Sequence, residues 1–137
     1  MGRIIMDFEV ANFGDILEHR QGKLSAERIR RLTMQGVVDP GALGLVLPEK
    51  VARQLGLSVV GQQRVTYADK RSVLRDEVDA VSVTIQGRSG EFRAILEKKR
   101  STALIGALVL ETLDFLVDCR KQKLVPRDPD YVLSEVE

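Results

Sequence analysis

The 137 residues predict a single domain, and 21 basic against 20 acidic side chains leave a net charge of +1. That balance argues against a broad electrostatic footprint for nucleic acid or an anionic membrane, so neither is expected as a partner. Aromatic residues make up 4% of the chain and Trp is absent, which removes the stacking platforms that single-stranded nucleic acid uses.

In chain order, residues 3–10 read as a strand, with Ile5, Phe8 and Val10 giving it one-sided character. Asn12-Phe13-Gly14-Asp15 then brings turn chemistry. Residues 16–28 are polar and helix-tolerant and are expected to form an ordered insertion or surface loop, with Ser25 as a candidate cap. Residues 29–38 are strand-like again, and residues 44–47 form a short buried strand. Pro48 is placed as the first residue of a short helix whose Val51, Ala52 and Leu55 share a face, with Gly56 ending it.

From Val59 the apolar period changes to two. Val65 and Tyr67 lead into the polar turn Ala68-Asp69-Lys70-Arg71, and residues 73–78 return as a strand. Val81, Val83 and Ile85 alternate, as do Phe92, Ala94 and Leu96, with a hairpin connection over residues 86–90 between them. After a charged bend at 97–100, residues 103–106 predict a buried strand ending in Gly106, and residues 107–113 a short helix. Residues 115–118 and 124–125 form a closing hairpin over 119–123. The expected class is all-β with one or two short helices, in a closed or sandwiched β domain. Residues 1–126 form that domain, with an insertion at about 15–28, and residues 127–137 form a C-terminal tail expected to be loosely ordered.

The most informative stretch is VVDPGALGLVLPEKVARQLGL, residues 37–57. A lone acid, Asp39, stands at the tip of an apolar strand, where a carboxylate is expensive unless something pairs or uses it. Gly41 lets the backbone come close to that carboxylate and offer an N–H. Read alone, Asp39 is better explained as a strand-end acid capping a turn.

Asp39-Pro40-Gly41-Ala42 resembles the active-site loop of retropepsin-like (clan AA) aspartic proteases, whose usual signature is Asp-Thr/Ser-Gly-Ala. The order of parts extends the likeness. Residues 66–72 lie where a substrate-covering flap belongs, a β-hairpin follows, and Leu104-Ile105-Gly106 with Leu108 and Leu110 resembles the apolar-apolar-Gly motif before the family's helix. The likeness covers about residues 3–126 and is greatest to the single-lobe bacterial and archaeal type. It implies a retropepsin-like acid-protease β-barrel of one lobe that dimerises.

The resemblance further implies Asp39 as the catalytic residue, with Gly41, Ala42, Tyr67, Ala68 and Asp69 binding a peptide substrate. The chemistry takes two carboxylates that share one proton, and this chain offers one Asp in that setting. A homodimer with Asp39 from each subunit is therefore implied, with residues 1–8 and 116–126 as interface segments. No metal or other cofactor is expected. Pro40 departs from the pattern, because proline has neither the hydroxyl nor the N–H with which Thr or Ser grips the partner's loop. The flap turn departs too, having no glycine. Two functions stay open: an aspartic endopeptidase working through a water activated by the Asp39 pair, or a weakened or inactive dimer of the same fold serving as a peptide-binding or assembly module.

The remaining candidates have plain readings. His19 is the only histidine, lies in the polar insertion and has no metal-ligand companions. Cys119, the only cysteine, excludes an intrachain disulfide and is expected as an exposed bystander. The absence of a long apolar run or a signal-type segment, together with that lone thiol, predicts a cytoplasmic protein. Arg28, Arg30 and Arg31 are either a basic group for an acidic partner or a polar strand face.

Overall fold

The computed structural model describes residues 3–131. Strand β1 (Ile4–Asn12) buries Ile4, Phe8 and Val10 and pairs antiparallel with β2 (Arg31–Val38). Between them lies helix α1 (Phe13–Arg20), where turn and loop were expected. The turn-like Asn12 is in fact its N-cap, with its side-chain oxygen accepting from the Asp15 N–H at 3.0 Å. Capping and turn signals use the same residue types, so the sequence alone does not separate them. Ser25 stands at the start of a single 3-10 turn (Ala26–Arg28) and makes no capping bond.

Asp15 is buried and receives three bonds from Arg30: the backbone N–H at 3.0 Å, Nε at 2.8 Å and a terminal nitrogen at 3.0 Å. Arg31 approaches Glu9 at 3.5 Å, so two of the three arginines in this group find partners inside the chain. The Arg30 hydrogen bonds outweigh burial and hold the Asp15 carboxyl below its ordinary range. The stabilisation is complete above the unfolded pKa near 4 and is lost as pH falls through the lower folded value. Asp15→Asn should lower stability by about 2 kcal/mol at pH 7. It should also flatten the acid limb of the urea-midpoint profile, and an unchanged profile would contradict the assignment.

Strand β3 (Leu45–Pro48) leads into helix α2 (Glu49–Gln54), and Pro48 is its N-cap rather than its first residue. The structure keeps the other expectations for α2: Val51, Ala52 and Leu55 are buried, and Gly56 takes φ 64 at the exit. Strand β4 (Val59–Thr66) pairs with the first half of β5 (Ser72–Ile85), a strand that runs through what the sequence divides at 79–80. A bulge between Val78 and Val81, with Ala80 at φ 55, interrupts the alternation without ending the strand. Past the bulge, β5 leaves β4 and pairs with β1. Gln86 and Gly87, both with positive φ, turn it into β6 (Arg88–Glu97), as two-residue hairpin geometry demands.

Strand β7 (Ala103–Ile105) and helix α3 (Ala107–Thr112) follow, then the hairpin of β8 (Phe115–Asp118) and β9 (Lys123–Pro126). The large sheet runs β1-β2-β7-β3-β6-β5-β4, and β1 also pairs with β5. That closes a barrel of six strands and leaves β4 projecting from it as half of a hairpin. The all-β class with short helices thus holds, with three helices rather than one or two. Val10, Leu45, Leu47, Val83 and Ile105 fill the barrel at 2% exposure or less, which is what tight closure requires.

Residues 127–131 are tied to the barrel rather than loose. Buried Arg88 donates to the Leu113 and Asp114 carbonyls at 3.1 and 3.0 Å and to the Asp128 carbonyl. Its guanidinium also stacks 4.1 Å from the Tyr131 ring. Arg127 pairs with buried Asp114, whose other oxygen accepts from the Asp128 N–H. Arg88→Met should free this segment and cost about 3 kcal/mol, because the buried Asp114 loses a neighbouring cation and three carbonyls lose a donor. Faster amide exchange over residues 127–131 would report it. The rest of the expected tail, residues 132–137, lies outside the described residues, as do residues 1 and 2 of the expected interface.

Candidate active site

Strand β2 ends at Val38, and the chain turns through Asp39-Pro40-Gly41-Ala42 before β3. The Ala42 N–H donates to the Asp39 carbonyl at 3.1 Å, which closes the turn. The Gly41 N–H donates to Asp39 Oδ1 at 3.0 Å, the contact expected from the sequence. An ordinary Asx turn makes that same bond. What sets this loop apart is how it is held from outside. The Asp39 N–H donates to the Ile105 carbonyl at 2.9 Å, while the first N–H groups of α3, at Ala107 and Leu108, donate to the Ala42 and Leu43 carbonyls at 2.8 Å each. The loop therefore borrows otherwise unpaired helix donors, and α3 is fixed to it.

Gly106 makes that contact possible. A Cβ there would lie 2.4 Å from the Gly44 carbonyl oxygen and 2.8 Å from that of Ala42. Those are backbone atoms that cannot swing away. The apolar-apolar-Gly motif thus places the Asp39 loop as well as filling the core.

Asp39 is partly exposed and lines a cavity of about 430 Å³. Val38 and Leu104 give it apolar wall, Cys119 and Gln122 reach it from the β8–β9 turn, and Arg3 and Arg100 add two cations. Sequence reasoning did not find Arg3 or Arg100, and it left Cys119 as a bystander. Cys119 is a free, exposed thiol as expected, yet the fold brings it to the Asp39 cavity. His19 is not among that cavity's lining and contacts the nearby Leu24 carbonyl at 2.9 Å.

A second cavity, of about 760 Å³, borders the same loop further along the chain. Gly41 and Ala42 line it together with Val46, Val65, Phe92 and the half-exposed Leu108. One wall is β4, the edge strand of the projecting hairpin. Ala68 and Asp69 sit exposed at the hairpin tip and line neither cavity. Tyr67 turns instead to a third, basic depression, where its hydroxyl donates to Glu97 at 2.7 Å and accepts from Arg75 Nε at 3.1 Å. So the structure joins Gly41 and Ala42 to the Asp39 loop, and leaves the three flap residues apart from it in a single subunit.

The flap turn works without glycine because Lys70 takes φ 66, while Asp69 Oδ1 accepts from the Arg71 N–H at 3.0 Å. Thr66 and Ser72 bridge its base through their hydroxyls at 2.9 Å. Among the described residues no cluster of His, Cys, Asp or Glu is placed to hold a metal ion, and no helix is long and apolar enough to cross a membrane.

Comparison with known proteins agrees with this geometry. A family model described as aspartyl protease matches residues 28–109, more than half of the chain, and includes Asp39, the flap hairpin and Gly106. No curated protein matches the chain significantly. Closed barrel, projecting hairpin and a glycine-braced Asp loop locked under a short helix together place this chain in the aspartyl protease family, in its retropepsin-like form.

Proposed function

We propose that this protein is an aspartic endopeptidase acting as a homodimer, in which Asp39 of each subunit forms a dyad across a two-fold axis. The observation that carries the reading is the Asp39 carboxylate held by Gly41 N–H at a cavity, on a loop braced by α3. One such carboxylate per chain makes a second copy necessary for the chemistry. Exposed Ile5 and Leu116, at 54% and 50%, lie in the two segments expected to meet the partner and support association.

In the dyad one carboxylate is ionised and takes a proton from water as that water attacks the scissile carbonyl carbon. The other is protonated, hydrogen bonds the carbonyl oxygen, and the leaving nitrogen is protonated as the C–N bond breaks. Turnover needs one ionised and one protonated carboxyl at the same time, so activity follows a bell-shaped pH profile. An extended peptide adds as a strand in the groove bounded by Gly41 and Ala42. Ala68 and Asp69 close over it, with Tyr67 anchoring the hairpin tip to Glu97. A peptide library incubated from about pH 3.5 to 7.5 with dimer verified by sedimentation tests the reading. A folded dimer that cuts nothing would sink it.

Pro40 favours the second reading, a dimer of this fold that binds peptides without turnover, because it withholds both hydroxyl and N–H from the partner loop. The two separate cleanly. Pro40→Thr should raise kcat/KM of an active enzyme by roughly 10-fold, the equivalent of about one net hydrogen bond at the dyad. In a binding module the same change would leave turnover at zero.

A further inference from the structure

Strands β5 and β6 pair from their shared hairpin back as far as Glu77 opposite Ile95. Beyond that rung the flap hairpin leaves the barrel, and Tyr67 spans the gap by donating its hydroxyl to Glu97. The gap is the third depression, of about 480 Å³, and its charges are one-sided. Arg71 and Arg75 come from the hairpin, Lys98 and Lys99 from the turn after β6, and Glu97 is the sole acid. Among the described residues none of these four cations forms an ion pair, although six such pairs occur elsewhere.

Two of the cations are held in place. Arg75 is half-buried and spends Nε on the Tyr67 hydroxyl at 3.1 Å. That bond fixes the plane of its guanidinium and leaves both terminal nitrogens with no acceptor among the described residues. Arg71 lies 5.0 Å and Arg75 5.8 Å from the Tyr67 ring, so one aromatic platform carries both. Oriented guanidiniums with two lysines beside them suit carboxylates: the arginine fork binds both oxygens, and the lysines add charge.

The position of the depression decides what it meets. Glu97 lines both the depression and the groove bounded by Gly41 and Ala42, and Thr66 of the groove wall directly precedes Tyr67. Gln63, Val65 and Tyr67 alternate along the chain and so fall on one face of the hairpin. A strand laid along the groove therefore continues onto the depression. Inside the groove Arg64 and Arg93 are answered by Glu77, Glu91 and Glu97, so the positive surplus begins only where the groove ends. None of the residues lining the depression lies in the two segments expected to meet the partner subunit.

We infer that this depression is a specificity site outside the cleft, where Arg71, Arg75, Lys98 and Lys99 take the acidic side chains of a substrate segment that continues past the groove. The inference deepens the proposed function, since it rests on that groove holding the peptide.

The test uses end-capped peptides with a statine-type hydroxyl group in place of the scissile amide, bound to the full chain and followed by calorimetry. Each carries a run of Glu or a matching run of Gln, on the N-terminal or the C-terminal side, beginning about four residues (roughly 13 Å of extended chain) from that group. On one side the Glu peptide should bind about 10-fold tighter than its Gln counterpart, as expected of several solvated charge pairs acting together. Raising NaCl from about 50 mM to about 500 mM should remove most of that difference. Arg71→Gln, Lys98→Gln and Lys99→Gln combined should bring the ratio to about one without weakening the Gln peptide. Arg75 is left in place there because it holds Tyr67. Lys50→Gln on α2, which lines neither the groove nor the depression, should keep the ratio whole. Equal binding of Glu and Gln peptides on both sides, or a preference that survives the triple substitution, overturns the inference. So does binding of inorganic phosphate that the triple substitution abolishes, where no Glu preference accompanies it. If no peptide binds, the groove reading fails and this inference with it. Turnover of the matching amides is read separately. Asp39-dependent cleavage without a Glu preference removes this inference alone, and a Glu preference without cleavage removes the endopeptidase reading alone.

Discussion

Asp39→Asn should abolish peptide cleavage, with kcat/KM reduced by at least about 10³-fold, while the barrel and the dimer persist. Asparagine keeps the shape and can still accept from the Gly41 N–H, so the loop loses no contact that the structure shows. What disappears is the exchangeable proton and the negative charge. A dyad of two amides can neither deprotonate water nor protonate a leaving nitrogen. Mixed dimers sharpen the expectation. A dimer with Asp39 intact in one subunit and Asp39→Asn in the other should be nearly as inactive as the doubly substituted one, because the mechanism needs one ionised and one protonated carboxyl. The unfolding free energy from urea titration should change by less than about 0.5 kcal/mol, as the site is partly exposed. Residual cleavage of a tenth or more in the purified variant would show that Asp39 is not the catalytic acid.

Gly106→Ala should have the second largest effect, and it should act on stability and activity together. The backbone at Gly106 is extended, with φ −92 and ψ −176, so an alanine is conformationally allowed there. The obstacle is distance. A methyl group 2.4 Å from the Gly44 carbonyl oxygen forces α3 and the Asp39 loop apart. The Ala107 and Leu108 bonds to the loop stretch with them. Overpacking plus two weakened backbone bonds should cost about 3 kcal/mol. A loop shift of the order of 1 Å should cost about 100-fold in turnover. Gly44→Ala is the matched control: a Cβ there meets nothing within 4 Å, so its stability should stay within about 0.5 kcal/mol of the parent. Equal losses in the two variants would mean that Gly106 is needed for reasons other than this approach.

Most of the barrel was legible because its strands carry strong local signals. The Val81/Val83/Ile85 and Phe92/Ala94/Leu96 alternations mark faces, and period-two patterns survive into the structure whatever their partners. Errors fall where one residue type serves two local purposes. Asn12 reads as a turn and caps a helix; Pro48 reads as a first helical residue and caps one as well. The break at Asp79-Ala80 is a bulge, and a sequence pattern does not tell a bulge from the end of a strand.

Local patterns were enough for a one-domain, strand-rich chain with a single acid in an Asp-X-Gly turn and a glycine-ended apolar strand ahead of a short helix. They also implied the bond from Gly41 to Asp39, since that contact spans two residues and needs no tertiary information. Only the folded barrel reveals that β7 runs between β2 and β3, so that Gly106 braces a loop far earlier in the chain. Folding likewise brings Arg3, Arg100 and Cys119 to the cavity of Asp39. It also separates Tyr67 from that cavity by giving its hydroxyl to Glu97. The physical reason is range. Side-chain alternation, capping and turn chemistry are set by neighbours a few residues apart, whereas the composition of a cavity depends on barrel closure, which joins residues that no local rule connects.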